Sequence, residues 1–107
     1  MELNYRKEGN RVIYYMPKEV DHHSSKTIAA ELDRLIEAEG MRNIIFDMKR
    51  TQFMDSSGIG VIIGRTRKLK FYDCSSVGVC NTSERVDMIL RCAGIYGIVT
   101  KIKMERI

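Results

Sequence analysis

Residues 53–60 (Phe-Met-Asp-Ser-Ser-Gly-Ile-Gly) place a carboxylate and two hydroxyl groups at one point of the chain. An apolar segment precedes them and a helical pattern follows, so the pattern predicts a turn at which a helix begins. The first N–H groups of a helix lack partners within the helix and attract a side-chain cap or an anion. Three roles fit this stretch: Asp55 or Ser56 caps the helix, a hydroxyl contacts a partner, or a hydroxyl receives a phosphate.

The glycines of the stretch, Gly58 and Gly60, predict a close approach of this helix to the sheet. They do not form a phosphate-binding fingerprint. Gly64 lies one residue too far along for G-x-G-x-x-G, and the sequence contains no Gly-Lys-Ser or Gly-Lys-Thr. Nucleotide binding by this chain on its own account is therefore weakly supported.

Catalysis by a serine requires a base, and the only histidines are His22 and His23. Adjacent histidines point in different directions, whereas metal ligands are usually spaced two to four residues apart. We expect no catalytic residue, no metal site and no cofactor, and we expect the histidines to lie in a polar helix start. A small serine-dependent enzyme or nucleotide-binding protein using Ser56 is the remote alternative.

The chain has 107 residues, of which 44% are hydrophobic and 30% charged, as in an ordinary globular domain. We expect one domain over residues 1–107. The longest apolar stretch, 58–64, is far shorter than the ~20 residues of a membrane span, and residues 1–5 do not resemble a signal peptide. A cytoplasmic protein without membrane contact is expected.

Basic residues give the chain a formal net charge of +4. They are spread along the sequence, and no aromatic residues are interleaved with the densest cluster, at 65–70, as a base-stacking surface would require. We therefore expect a solvated face or a surface for an acidic protein rather than nucleic-acid binding. The three cysteines, Cys74, Cys80 and Cys92, form no C-x-x-C pair and are expected to be reduced, partly buried packing residues.

Hydrophobic periodicity predicts an α/β fold with the order ββαβαβαβ and a mainly parallel sheet with one antiparallel edge strand. The predicted strands are 3–6, 11–16, 44–48, 76–80 and 98–104. Helices are predicted from 21–25 to Gly40, from the 53–60 stretch to about Lys70, and from Asn81 or Ser83 to Gly94. The side chains expected to face the core are Ile59, Ile62, Ile63 and Leu69 on the second helix, and Val86, Ile89, Leu90 and Ala93 on the third.

Three segments resemble the anti-sigma factor antagonists of the STAS domain family. They are 20–24 (Val-Asp-His-His-Ser), 44–48 (Ile-Ile-Phe-Asp-Met) and 53–65 (Phe-Met-Asp-Ser-Ser-Gly-Ile-Gly-Val-Ile-Ile-Gly-Arg). The similarity extends from about residue 4 to residue 104 and is greatest to the sporulation branch, whose members control sigma factor F. It implies a STAS-type single domain.

The resemblance also implies a function without enzymatic activity. The unmodified protein would bind an anti-sigma factor that is a serine kinase, bringing ATP and Mg²⁺, and would thereby free the sigma factor. Phosphorylation of Ser56 would end the binding, and a serine phosphatase would restore it. Ser57 would have a helix-start role and Asp21 would contact the kinase. The residues expected to bind the partner are Asp21, His22, Asp55, Ser56, Ser57, Gly58 and Ile59.

An antagonist of the same family that serves the general stress response, or another partner-switching circuit, is the main alternative. Two features depart from the family pattern. Members often carry a further C-terminal helix, of which this sequence would hold at most a short stub before Ile107. The chain is also more basic than expected of the sporulation branch.

Overall fold

The computed structural model describes residues 3–103 of the chain. Strands and helices follow one another in the expected alternation, with two additional short strands. The elements are β1 (Tyr5–Glu8), β2 (Arg11–Tyr15), β3 (Glu19–Val20), α1 (His22–Glu39), β4 (Asn43–Asp47), β5 (Phe53–Met54), α2 (Ser56–Leu69), β6 (Ser76–Cys80), α3 (Glu84–Cys92), a 3-10 turn (Ile95–Gly97) and β7 (Thr100–Ile102).

The main sheet has five strands in the order β1-β2-β4-β6-β7. Only β1 and β2 are antiparallel, joined by a tight turn in which Gly9 has a φ of +61°. The pairs β2–β4, β4–β6 and β6–β7 are parallel, as the intervening helices require. The predicted mixed α/β fold with one antiparallel edge strand is confirmed.

All three helices pack on one face of this sheet. The large core cluster joins side chains from the sheet to side chains from each helix, including Ile44, Phe46, Leu32, Ile62 and Leu90. The other face holds a small cluster of Ile13, Ile45 and Cys80, to which no helical residue between 3 and 103 contributes. Hydrophobic residues therefore alternate across the central strands, and one face carries most of the burial.

Strands β3 and β5 form a separate two-stranded parallel sheet, which was not predicted. Each strand has only two residues, and such a length carries no period-2 pattern. The small sheet lies between the loop before α1 and the loop before α2. It positions the starts of those two helices.

The first and last strands were predicted with wrong bounds. β1 covers Tyr5–Glu8 rather than 3–6, because the turn to β2 is confined to two residues. β7 begins only at Thr100, because the amides of Ile98 and Val99 both donate to the carbonyl of Ile95 in the preceding 3-10 turn. The predicted end of this strand at Met104 lies outside the described residues.

On α2, Ile62 and Leu69 are buried as predicted, whereas Ile59 and Ile63 are only partly buried. Val61 and Thr66, which were not predicted, are buried instead. On α3, Val86 and Leu90 are buried, but Ile89 is half-buried and Ala93 is exposed. Ile59, Ile63 and Ile89 therefore lie at the margin of the core rather than inside it.

The cysteines are free, and the prediction that all three are partly buried was wrong for two of them. Cys80 is buried in β6. Cys74 is exposed in the loop after α2, with a φ of +55°, and Cys92 is exposed at the end of α3. Among residues 3–103, no helix is long and apolar enough to cross a membrane.

Candidate functional site

The starts of α1 and α2 lie side by side at the end of the small sheet. Strands β3 and β5 are in register, with Val20 opposite Met54, and the amide of Asp55 donates to the carbonyl of Val20 at 3.2 Å. Each strand is followed by one aspartate and then a helix, so Asp21 and Asp55 occupy equivalent positions. The structure thus brings together the two segments that the sequence singled out separately.

Asp55 is the cap of α2, which settles the choice between Asp55 and Ser56. Its backbone is extended (φ −99°, ψ −169°), and Oδ1 accepts from the amides of Ser57 at 2.8 Å and Gly58 at 3.2 Å. The amide of Ile59 donates to the Asp55 carbonyl at 3.1 Å. A cap of this kind stabilises a helix by about 1 kcal/mol. We expected the first amides of α2 to be available for an anion. Most of them are instead hydrogen-bonded to Asp55.

Ser56 is the first residue of α2, and its side chain is exposed. Within the described part of the chain its hydroxyl has no hydrogen-bond partner, so it is free to meet a second molecule. Ser57, one position later, is half-buried and takes part in the cap through its amide. The two adjacent serines thus differ in accessibility.

Gly58 allows α2 to pack directly against β3. A Cβ atom at this position would lie 2.8 Å from the carbonyl oxygen of Val20 and 2.9 Å from its Cγ1. At Gly60 no atom of residues 3–103 outside the adjoining helix backbone lies within 4 Å of the corresponding position, so the predicted close approach was right for Gly58 and wrong for Gly60. Only a residue without a side chain fits between the small sheet and the helix.

Asp21 caps α1 through a reciprocal pair of hydrogen bonds with Ser24. Its carboxylate accepts from the Ser24 amide at 3.0 Å, and its own amide donates to Ser24 Oγ at 3.0 Å. The hydrogen bond from the Ser24 amide holds the pKa of Asp21 below its usual range. His22 and His23 follow at the start of the helix with exposed rings. The cap fixes the Asp21 carboxylate while leaving it half-buried at the surface.

A groove of about 740 Å³ opens beside Ser56, between the start of α2 and the side of α3. Most of its lining is apolar. It is lined by Met54, Asp55, Ser56, Ile59, Glu84, Arg85, Met88, Ile89, Cys92 and Ala93. The α3 residues were missed as site residues in the sequence, because their apolar spacing is that of an ordinary core-facing helix.

Two of the four basic residues at 65–70 form ion pairs within residues 3–103. Arg65 Nε lies 3.0 Å from Asp33 Oδ1, and Lys68 pairs with both Asp33 and Glu37, so the cluster joins α2 to α1. Hydrogen bonding to Glu37 is the main reason that the pKa of Lys68 is raised. Among residues 3–103, no group of three metal-ligating side chains comes together.

Comparison with known proteins agrees with this geometry. The family model of the STAS domain matches residues 2–106, and the chain belongs to the STAS domain family. An anti-sigma F factor antagonist of Paenibacillus polymyxa is 34% identical over 101 residues, which cover 92% of this chain and 86% of the relative.

Two solved structures of SpoIIAA have the same fold. The unphosphorylated anti-sigma factor antagonist matches with a TM-score of 0.73 and 24% identity, covering 96% of this chain and 89% of the other. The phosphorylated form, described as a Bacillus cell fate determinant, matches with a TM-score of 0.71 and 26% identity, covering 94% and 92% of the two chains. The fold of this chain is thus that of a protein solved both with and without a phosphate.

Proposed function

We propose that this chain is an anti-anti-sigma factor. Its unphosphorylated form binds an anti-sigma factor that is also a serine kinase, and this binding frees the sigma factor. The identity with the Paenibacillus antagonist supports sigma factor F of sporulation as the target. Phosphorylation of Ser56 ends the binding and a serine phosphatase restores it. The observation that carries the proposal is the exposed, unbonded Ser56 hydroxyl at the start of α2, in a chain of this family.

The geometry suits a kinase substrate. The kinase supplies ATP and Mg²⁺, and phosphoryl transfer depends mainly on positioning and charge stabilisation, so the substrate has only to present a hydroxyl. The Asp55 cap and the close packing at Gly58 fix the backbone on both sides of Ser56. We infer that the kinase contacts Asp21, His22 and residues 55–59, which lie together at the starts of α1 and α2.

On this proposal, one phosphate supplies most of the free energy that reverses the binding. Phosphorylation adds about −1.5 to −2 charges, and here it does so beside the Asp55 carboxylate. Shifting a two-state binding equilibrium from 99:1 to 1:99 requires about 5.5 kcal/mol. A charge buried without a partner in an interface costs several kcal/mol, so repulsion and desolvation supply most of that difference.

The same geometry favours a binding protein over an enzyme. Both histidines lie at the exposed start of α1, and within residues 3–103 neither forms a hydrogen bond with the Ser56 hydroxyl. The proposed partners are therefore proteins, without direct contact to nucleic acid or membrane. Because the proposed circuit controls a sigma factor, we propose that the chain is cytoplasmic and that residues 1–107 act as one domain.

The test is intact-mass analysis and peptide mapping after incubation with ATP, Mg²⁺ and the anti-sigma F factor of the same organism. Wild type should gain one phosphate on Ser56 and dissociate. Ser56→Ala should still bind but gain no phosphate, and Ser56→Asp should bind at least about tenfold more weakly. Ser57→Ala tests which hydroxyl is modified: it should still gain one phosphate on Ser56, because the cap uses the amide of Ser57 and not its hydroxyl. Normal phosphate incorporation into Ser56→Ala would show that the site is wrong.

A further inference from the structure

We propose that the apolar groove between α2 and α3 is a docking site for a segment of the kinase that presents an apolar side chain next to a carboxylate. This inference rests on the proposed function. It adds a second contact area on α3, an element to which neither the sequence nor the resemblance gave any part in binding.

The groove is continuous with the Ser56 site. Asp55 and Ser56 form its rim on one side, and Glu84 and Arg85 at the start of α3 form part of the other. A protein that contacts the Ser56 hydroxyl therefore lies against the mouth of the groove. Occupation of the groove would extend the same interface across α3.

The lining of the groove includes apolar residues of α2 and α3 that were predicted to be buried and are not. Ile59, Ile89 and Ala93 were expected to face the core, but Ile59 and Ile89 are only partly buried against it, Ala93 is exposed, and all three line the groove. Met88 is 65% exposed at its edge, and Phe53, beside the groove, is 40% exposed. Apolar surface left exposed together in this way is typical of a protein–protein contact.

Arg85 is the one cation among the groove residues, which also include the carboxylates of Asp55 and Glu84, and on this proposal it selects the occupant. Its guanidinium lies 5.6 Å from the centre of the Phe53 ring, and within residues 3–103 no carboxylate pairs with it. The neighbouring Glu84 lies in the first turn of α3, where its charge complements the helix's own dipole. Arg85 therefore remains available for a carboxylate, and Arg–carboxylate pairs are the strong, directional pairs of interfaces.

Substitutions at the groove test the proposal. Met88→Asp and Arg85→Glu should each weaken binding of the unphosphorylated protein to the anti-sigma F factor by at least about tenfold, as expected of hot-spot residues. The controls are Phe71→Asp and Arg67→Glu. Phe71 is 91% exposed and Arg67 is exposed near the far end of α2, about 15–20 Å from Ser56 at the helical rise of ~1.5 Å per residue. Both controls should bind within about twofold of wild type.

Cys92 provides a second readout that does not depend on these substitutions. Cys80 is buried, and burial raises the pKa of its thiol to about 11, so it reacts slowly. In a Cys74→Ser variant, N-ethylmaleimide should therefore label Cys92 alone. Complex formation with the anti-sigma F factor should slow that labelling at least about tenfold.

The outcomes separate the two proposals. If wild type binds the kinase and is phosphorylated on Ser56, while Met88→Asp binds equally well or Cys92 stays reactive in the complex, the groove proposal is wrong and the proposed function stands. If Cys92 is protected without the kinase, in proportion to protein concentration, the groove binds a second copy of this chain and the proposal is overturned. If wild type does not bind the kinase, both proposals fail.

Discussion

Gly58 and Gly60 lie two residues apart on α2, and only Gly58 touches the small sheet. The two nearest atoms to a Cβ at Gly58 belong to Val20, and one of them is a backbone oxygen, which cannot rotate away. Gly58→Ala should therefore lower the free energy of unfolding by about 1–3 kcal/mol, as other overpacking changes do. Urea unfolding of the purified variant measures the change.

Gly60→Ala is the matched control for this prediction. It adds the same methyl group to the same helix at an exposed position, with no atom of residues 3–103 outside the adjoining helix backbone within 4 Å. Because glycine is a poor helix former, we expect this variant to gain about 0.5–1 kcal/mol. An unfolding midpoint for Gly58→Ala equal to that of wild type would show that Val20 can move, and that the contact does not fix the site.

This pair of residues also shows what could not be predicted from the sequence, namely which of the two glycines contacts the small sheet. Both glycines suggested a close approach, and nothing in the residue types distinguishes them. The difference arises because β3 pairs with β5, which brings Val20 over one side of α2 only. The Asp55 cap was foreseeable as one of two candidates, since aspartate and serine both accept from helix amides, and the backbone geometry decided between them.

At the scale of elements, Asp87 on α3 bonds to side chains of the 3-10 turn and of β7. Its carboxylate on α3 accepts from Tyr96 Oη at 2.6 Å and pairs with Lys101 Nζ on β7 at 2.8 Å and with Arg91 at 2.9 Å. The hydrogen bond from Lys101 is the main reason that the pKa of Asp87 lies well below its usual range. The carboxylate therefore connects a helix, a 3-10 turn and an edge strand.

This network predicts how stability depends on pH. Because the pKa of Asp87 is lower in the folded than in the unfolded protein, its stabilisation is complete above the unfolded pKa of about 4 and declines below it. Asp87→Asn should be less stable than wild type at pH 7 by about 1–2 kcal/mol. The difference in the free energy of unfolding between wild type and Asp87→Asn should decrease as the pH falls from 4 to 2. Urea titrations across this pH range measure that difference. A difference that does not change with pH would exclude the Asp87 charge as its cause.

The longer elements were predictable and the shorter ones were not. Helix α1 carries a clear apolar period and ends at Gly40, whose φ is +71°, so both of its ends follow from sequence. β3 and β5 have two residues each, too few for any period, and only their pairing with each other defines them. The outer positions of the α3 stripe, Ile89 and Ala93, were ambiguous because a residue facing a groove and a residue facing the core are equally apolar.

For the whole molecule, the charge distribution favours a phosphate that changes the binding surface over one that rearranges the fold. The cations Arg65 and Lys68 are engaged with α1 carboxylates, and the first amides of α2 are engaged with Asp55. These donors are therefore not free to fold around a phosphate. The similar TM-scores to SpoIIAA without and with phosphate, 0.73 and 0.71, agree with a fold that is compatible with both forms.

Phosphorylation of Ser56 should accordingly leave the stability of the fold almost unchanged. The dipole of α2 favours an anion at this position by about 0.3–1 kcal/mol, while the neighbouring Asp55 carboxylate opposes it by a comparable amount. We expect the free energies of unfolding of the two forms to agree within about 1 kcal/mol, even though we propose that only the unmodified form binds the kinase. Urea unfolding of the two separated forms measures this directly. A loss of several kcal/mol would mean instead that the phosphate breaks the α2 cap, and that release follows from a change of conformation.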